Sequence, residues 1–226
     1  MVNTSDIESA LIPKYATKQK FIRFNGKYFH NENNTLTKIH RQILSSLLRN
    51  LQNIEFKSVI EIGAGSCQNI PIIHEIFPQT EIVCADWSSS SILIANQLNS
   101  LLSPNICGIH YDFFSENTLN MAGSLVVTSH SLEQIGINKE PLNQIYNSRP
   151  KLVLNIEPIV ESYNPKSVLG ELLIKYHDVR GYLRGFPTYL SQKQTEGEIR
   201  IIAKGKIEFG SQDGEGYSYY LWEPTL

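Results

Sequence analysis

Residues Lys57 to Gln68 read K-S-V-I-E-I-G-A-G-S-C-Q, and the fold is decided there. Val59, Ile60 and Ile62 make a short apolar run weighted to β-branched side chains, the pattern of a strand buried on both faces of a parallel sheet. Gly63 and Gly65 interrupt it, and Ile70, Ile72, Ile73 and Ile76 resume at helical spacing. Strand, glycine turn and helix bring backbone close to a ligand, because glycine has no Cβ to hold the ligand off. A bare G-x-G also occurs in ordinary tight turns, so the acids around it matter. Glu61 lies just before the first glycine, Asp86 ends a second predicted strand and Asp112 ends a third.

With those acids in place, E-I-G-A-G resembles the first motif of class I S-adenosylmethionine-dependent methyltransferases, E/D-x-G-x-G-x-G, with Cys67 standing where that motif has its third glycine. The resemblance runs from about Lys57 to the C-terminus. It implies an α/β fold with a Rossmann-like, seven-stranded sheet, mostly parallel, closed by a C-terminal antiparallel hairpin and covered by helices on both faces. It also implies S-adenosylmethionine as cofactor, with Glu61, Gly63, Gly65, Asp86, Trp87, Asp112, Phe113 and Ser129 around it. A carboxylate at Asp86 can accept both ribose hydroxyls while Trp87 lies against adenine. Asp112 and Phe113 match the acid and the apolar neighbour that meet the adenine amino group and ring. Capping of the helix that follows is the other use for Asp86, and an acid there also occurs in nicotinamide-binding folds.

The chain has 226 residues and a net charge of -2, enough for one full core, with no global charge that points to nucleic acid or an anionic membrane. No apolar stretch approaches the roughly 18 residues of a membrane span, and no apolar leader opens the sequence. Cys67, Cys84 and Cys107 show neither C-x-x-C nor zinc spacing, so free thiols in a reducing, cytoplasmic setting are expected, with no metal.

Residues 1–36 differ from the rest and are expected to form an N-terminal lid or arm on a methyltransferase domain of residues 37–226. Lys14, Lys18, Lys20, Arg23 and Lys27 run without an intervening acid among Tyr15, Phe21, Phe24, Tyr28 and Phe29. That mixture suits a cover over the cofactor, a solvated arm, or an arm for nucleic acid. An amphipathic helix follows over Thr37–Leu51, with Thr37 as its cap. Further strands are expected at Glu81–Ala85, Ile106–Tyr111, Leu125–Val127 and Leu152–Ile156, and a helix over Pro165–Leu183 with Val168, Leu169, Leu172, Leu173, Tyr176 and Val179 on its apolar side. Glu198–Phe209 and Tyr217–Trp222, joined by G-S-Q-D-G-E-G, read as an antiparallel hairpin. A nicotinamide domain would continue with parallel strands instead.

Methyl transfer from a sulfonium needs alignment and exclusion of water, plus a base where the acceptor must lose a proton. His130 after the fourth strand, Glu157 after the fifth, and Tyr176 and His177 on the next helix are the catalytic candidates. The two histidines have bland alternatives, His130 as a histidine bonded to a backbone carbonyl and His177 as a charge complementing a helix dipole. The sequence therefore points to methylation of an N or O atom of a small molecule, with an RNA or peptide acceptor, or a non-catalytic cofactor-binding protein, as the competing readings.

Overall fold

The computed structural model describes residues 4–115, 118–212 and 214–225. In chain order it contains α1 (Thr4–Ala10), α2 (Lys14–Lys18), β1 (Phe21–Phe24), β2 (Lys27–His30), α3 (Thr35–Arg49), β3 (Ser58–Ile62), α4 (Ile70–Ile76), β4 (Glu81–Asp86), α5 (Ser89–Leu101), β5 (Ile106–His110), β6 (Leu125–Ser129), α6 (Glu140–Asn147), β7 (Leu152–Glu157), α7 (Val168–Arg180), α8 (Phe186–Thr195), β8 (Ile199–Ser211) and β9 (Gly214–Pro224). One sheet of nine strands runs in the order β2-β1-β8-β9-β7-β6-β3-β4-β5. The five strands from β7 to β5 are parallel, and β9, β8, β1 and β2 continue the sheet antiparallel.

The parallel core follows from the apolar runs. Each residue of β3 is buried, and neighbours along it enter opposite layers. Val59 packs with Leu44, Leu48, Ile70 and Ile73 beneath α3 and α4, whereas Ile60 and Ile62 pack with Leu142, Phe186 and Leu190 beneath α6 and α8. Burial on both faces is what the continuous Val/Ile runs predicted. Chain direction across the sheet reverses between β6 and β3, so the C-terminal ends of these two strands open a crevice, the usual ligand position of open α/β sheets.

Four features differ from the sequence expectations. The sheet has nine strands rather than seven, because Phe21–Phe24 and Lys27–His30 pair with each other across the turn Asn25-Gly26 and β1 then pairs with β8. Residues 21–30 of the N-terminal segment thus extend the sheet. Second, the cap of α3 is not Thr37: the helix starts at Thr35, and the Leu36 N–H is taken by Asn31 Oδ1 at 2.9 Å. Third, α7 is shorter than expected and rotated. Ser167 caps it by accepting from the Gly170 N–H, Gly181 ends it in the left-handed conformation, and the buried face carries Gly170, Leu173 and His177. Val168, Leu172 and Val179 face solvent. The inward face is set by a small apolar cluster with Val160 and Tyr163 rather than by the broadest apolar stripe. Fourth, α6 and α8 had no expectation, since their polar composition hides the few buried positions such as Leu142, Ile145, Phe186 and Leu190. No helix among the described residues is long and apolar enough to cross a membrane.

Candidate functional site

The turn after β3 is built on three left-handed residues: Gly63 (φ 76), Gly65 (φ 54) and Cys67 (φ 59). Cys67 keeps the backbone conformation that a glycine would adopt without strain, although its side chain is fully buried. At Gly63 the need is also steric. A Cβ there would overlap the Cβ of Ser131 and lie 3.0 Å from its Oγ. Ser131 is itself fixed, donating from Oγ to the Ile62 carbonyl at 2.8 Å. The turn is tied to β4 as well: Gly63 N–H donates to Ala85 O at 2.8 Å, and Gly65 N–H donates to Asp86 Oδ2 at 2.7 Å. Asp86 Oδ1 accepts from Ser88 N–H at 2.8 Å, so one carboxylate holds the glycine turn and the start of α5 together. Each of its oxygens retains a lone pair for a ligand.

These elements border a cleft of about 1120 Å³. It is lined by Glu61, Gly63, Gly65, Asp86, Trp87, Asp112 and Phe113, and by Ser129 at the tip of β6. All eight residues expected around a cofactor therefore border one cavity. Trp87 is 70% exposed, with a ring face available to a ligand. Asp112 Oδ1 accepts from Phe114 N–H at 2.9 Å, which fixes the loop after β5. Pro13, Tyr15, Ala16 and Gln19 of the N-terminal segment also border the cleft, and Ser66 Oγ donates to the Leu11 carbonyl at 2.7 Å.

The same cleft is lined by His130, Glu133, Tyr163, Tyr176, His177 and Tyr182. Three of the four catalytic candidates, His130, Tyr176 and His177, therefore border it. Glu157 does not join them. Its side chain is fully buried, and Oε1 accepts from the Ser131 and Leu132 N–H groups at 3.3 and 3.2 Å. It supports the turn after β6, which in turn presses on Gly63. His177 is buried among Tyr163, Tyr176 and Tyr182, with Tyr163 Oη 3.5 Å from Nε2. His130 holds the left-handed conformation (φ 55), its ring edge-on to Tyr217 at 5.0 Å. A Cβ at Gly216 would lie 2.5 Å from His130 Cε1, so only glycine leaves room for that ring.

Burial sets the protonation of the group. It lowers His130 to about 3 and His177 to about 4, so both imidazoles are neutral near pH 7. The 4.0 Å approach of His130 Nδ1 to Glu133 Oε2 is accordingly no ion pair. Burial raises Glu61 and Glu133 to about 8, and Glu157 to about 7 against the pull of its hydrogen-bond donors. His130 Nε2 and Glu61 Oε2 are buried without a protein partner.

Sequence reasoning missed His40, Asn69, Tyr163, Tyr182 and Tyr217, all of which border the cleft. His40 lies inside an amphipathic helix and Tyr217 inside an aromatic strand, where composition alone reads as packing. Asn69, just after the turn, carried the best available signal: a polar residue between the glycines and the apolar first turn, Ile70–Ile73, of the next helix.

No protein-family model matches the chain, and no curated protein matches it in sequence. Solved structures do match in fold. Human N-acetylserotonin methyltransferase in complex with S-adenosylmethionine superposes with a TM-score of 0.58 at 16% identity, covering 83% of this chain and 52% of that one. Magnesium protoporphyrin IX methyltransferase from Synechocystis PCC 6803, with bound S-adenosylhomocysteine, gives 0.58 at 14% identity over 88% and 89% of the two chains. The plantazolicin methyltransferase BpumL, also with S-adenosylhomocysteine, gives 0.57 at 14% identity over 97% and 93%. The chain spans about half the length of the first of these. The fold is that of the class I S-adenosylmethionine-dependent methyltransferases.

Proposed function

We propose that this protein binds S-adenosylmethionine in the cleft and transfers its methyl group to an N or O atom of a small molecule. The observation that carries the reading is the junction of the glycine turn with Asp86. Backbone is brought to the cleft at Gly65, whose position leaves space for a ligand, and the carboxylate beside it keeps free lone pairs at the right place for ribose hydroxyls. The unpartnered Glu61 Oε2 is buried at the cleft wall, where a bound ammonium group would draw the carboxyl down from about 8 to its charged form. Trp87 and Phe113 supply faces for a purine, and Asp112 an acceptor for its amino group; Ser129 borders the same cleft. The cofactor supplies an electrophilic methyl on a sulfonium.

The chain's own contribution is alignment and exclusion of water. Neutral His130 and His177 are able to accept a hydrogen bond from an acceptor, and Tyr176 can donate one. Glu157 acts one step back, by holding Ser131 against Gly63. A small acceptor fits a cleft bordered by Tyr15, Tyr163, Tyr176, His177 and Tyr182. The exposed Phe21, Phe24, Tyr28 and Phe29 near Lys20 and Lys27 favour the second reading, an RNA or peptide acceptor. Calorimetry with S-adenosylmethionine, S-adenosylhomocysteine and NAD tests the cofactor. Binding of NAD with silence from the other two would end the methyltransferase reading. For the acceptor, a strong fall of substrate binding with salt would favour RNA.

A further inference from the structure

Four buried polar side chains from four separate places in the chain join in one line. Tyr217 Oη on β9 lies 2.9 Å from His40 Nδ1 on α3, and His40 Nε2 lies 2.7 Å from Asn69 Oδ1. Asn69 Nδ2 donates to Glu61 Oε1 at 2.6 Å. All four residues are at most 6% exposed.

Chemistry fixes the direction of the line. An Asn69 amide that gives its N–H to Glu61 turns its oxygen to His40, so His40 Nε2 must carry a proton. Burial lowers the His40 pKa and keeps the ring neutral, which leaves Nδ1 as an acceptor for the Tyr217 hydroxyl. Every donor therefore points toward Glu61. The last bond matters most there: burial and the nearby Asp86 hold the Glu61 carboxyl at about 8 even though the Asn69 N–H pulls it down, so a cation has to displace a proton to bind. If the amide turned over, its oxygen would face Glu61 Oε1 and that downward pull would be lost, so the carboxyl would hold its proton more firmly against a cation.

We propose that Tyr217, His40 and Asn69 are positioning residues of the cofactor site: their ordered hydrogen bonds hold Glu61 as an acceptor with Oε2 turned to the ligand. This rests on the reading of the cleft given above. The chain also makes the C-terminal hairpin, 156 residues after Glu61 (217 − 61), part of the cofactor-binding machinery.

The test uses calorimetric titration of S-adenosylhomocysteine into the full chain and nitrogen NMR of the His40 ring. In the wild type the ring should show Nε2 protonated and Nδ1 bare at pH 7. His40→Leu, which removes the donor to Asn69, should weaken binding about tenfold, the upper end of the scale for one neutral hydrogen bond. His40→Gln, which keeps an N–H donor on a side chain of similar reach, should stay within about threefold of wild type. Equal losses in both variants would reduce His40 to packing and overturn the proposal, as would binding that neither changes. A wild-type His40 protonated at Nδ1 would overturn it without any variant, should His40→Leu fail to fold. Wild-type protein that ignores S-adenosylhomocysteine would instead overturn the cleft reading on which the proposal stands.

Discussion

Gly63→Ala puts the geometry of the glycine turn at risk in a measurable way. The added methyl occupies φ 76, a left-handed conformation that costs an L-residue about 1–2 kcal/mol. It also overlaps the Ser131 Cβ, so Ser131 must move. Moving it breaks the Ser131 Oγ bond to the Ile62 carbonyl, worth about 1 kcal/mol net, and loosens the two N–H bonds into Glu157. The total loss is about 3 kcal/mol, a large share of the roughly 5–15 kcal/mol that holds a domain folded. Urea unfolding should show the midpoint falling with an unchanged slope. In a Ser131→Gly background the overlap is gone, and the same Gly63→Ala change should cost only the backbone part. A loss below about 0.5 kcal/mol, or equal losses in the two backgrounds, would refute the claim that Ser131 and Gly63 are packed as one unit.

Asp86→Ala should weaken S-adenosylhomocysteine by about 1–3 kcal/mol, since it removes a charged acceptor and frees the Gly65 and Ser88 N–H groups; calorimetry with an intact fold reads it, and unchanged affinity would leave Asp86 as a purely structural clasp. Stability should be level between about pH 4.5 and 6.5 and fall from there to pH 8. Glu61, Glu133 and Glu157 keep their protons to about 8, 8 and 7 when folded, which favours the folded state less as pH rises above 4.5; His40, His130 and His177 are lowered from 6.5 and give the opposite slope below that value. Thermal melts across this range, repeated on Glu133→Gln, should show the upper fall become shallower; a rise in stability from pH 6.5 to 8 would contradict the assignment. S-adenosylhomocysteine should slow trypsin cleavage at Lys14 and Lys18, because Pro13, Tyr15 and Ala16 border the cleft. Equal cleavage with and without ligand would count against a cover.

The sequence made the sheet core legible because buried parallel strands leave an unambiguous mark. Val59–Ile62, Ile82–Ala85 and Leu152–Ile156 are apolar runs, broken only by Glu61 and Asn155, and each is a strand within a residue or two of its expected bounds. The residues expected around a cofactor were legible for a related reason: they lie at strand ends, so locating the strand locates Glu61, Asp86 and Asp112. What stayed hidden depends on tertiary contact. The N-terminal hairpin has only four-residue strands, and β2 is exposed throughout, so it lacks the alternation that marks a half-buried strand. On α7 the apolar stripe Val168, Leu172 and Val179 suggested a buried face, yet the helix turns His177 and Leu173 inward. Position after a strand likewise suggested that Glu157 meets a ligand, but whether a carboxylate turns outward or into its neighbour's backbone is settled by three-dimensional contact alone.

The hydrogen bonds that arrange the cleft start, twice, on the last strand. From Tyr217 one line reaches Glu61 through His40 and Asn69. From Trp222 another runs inward: Nε1 donates to Asn155 Oδ1 at 2.8 Å, Asn155 Nδ2 donates to Thr128 Oγ1 at 2.9 Å, and Thr128 meets Glu157. The second line ends on the carboxylate that anchors Ser131, and Ser131 closes on Gly63. Both carboxyls are buried and raised, to about 8 and about 7, and in each case these donors pull the group down against burial. An antiparallel strand beside β7 thus does more than close the sheet. It places an aromatic donor at two depths along the strand, one above each end of the glycine turn's support. Gly216 belongs to the same arrangement, because a side chain there would push His130 away from Tyr217. The turn that brings backbone to the ligand is local in sequence, but the polar groups that hold it are assembled from five strands and a helix, and only folding brings them together.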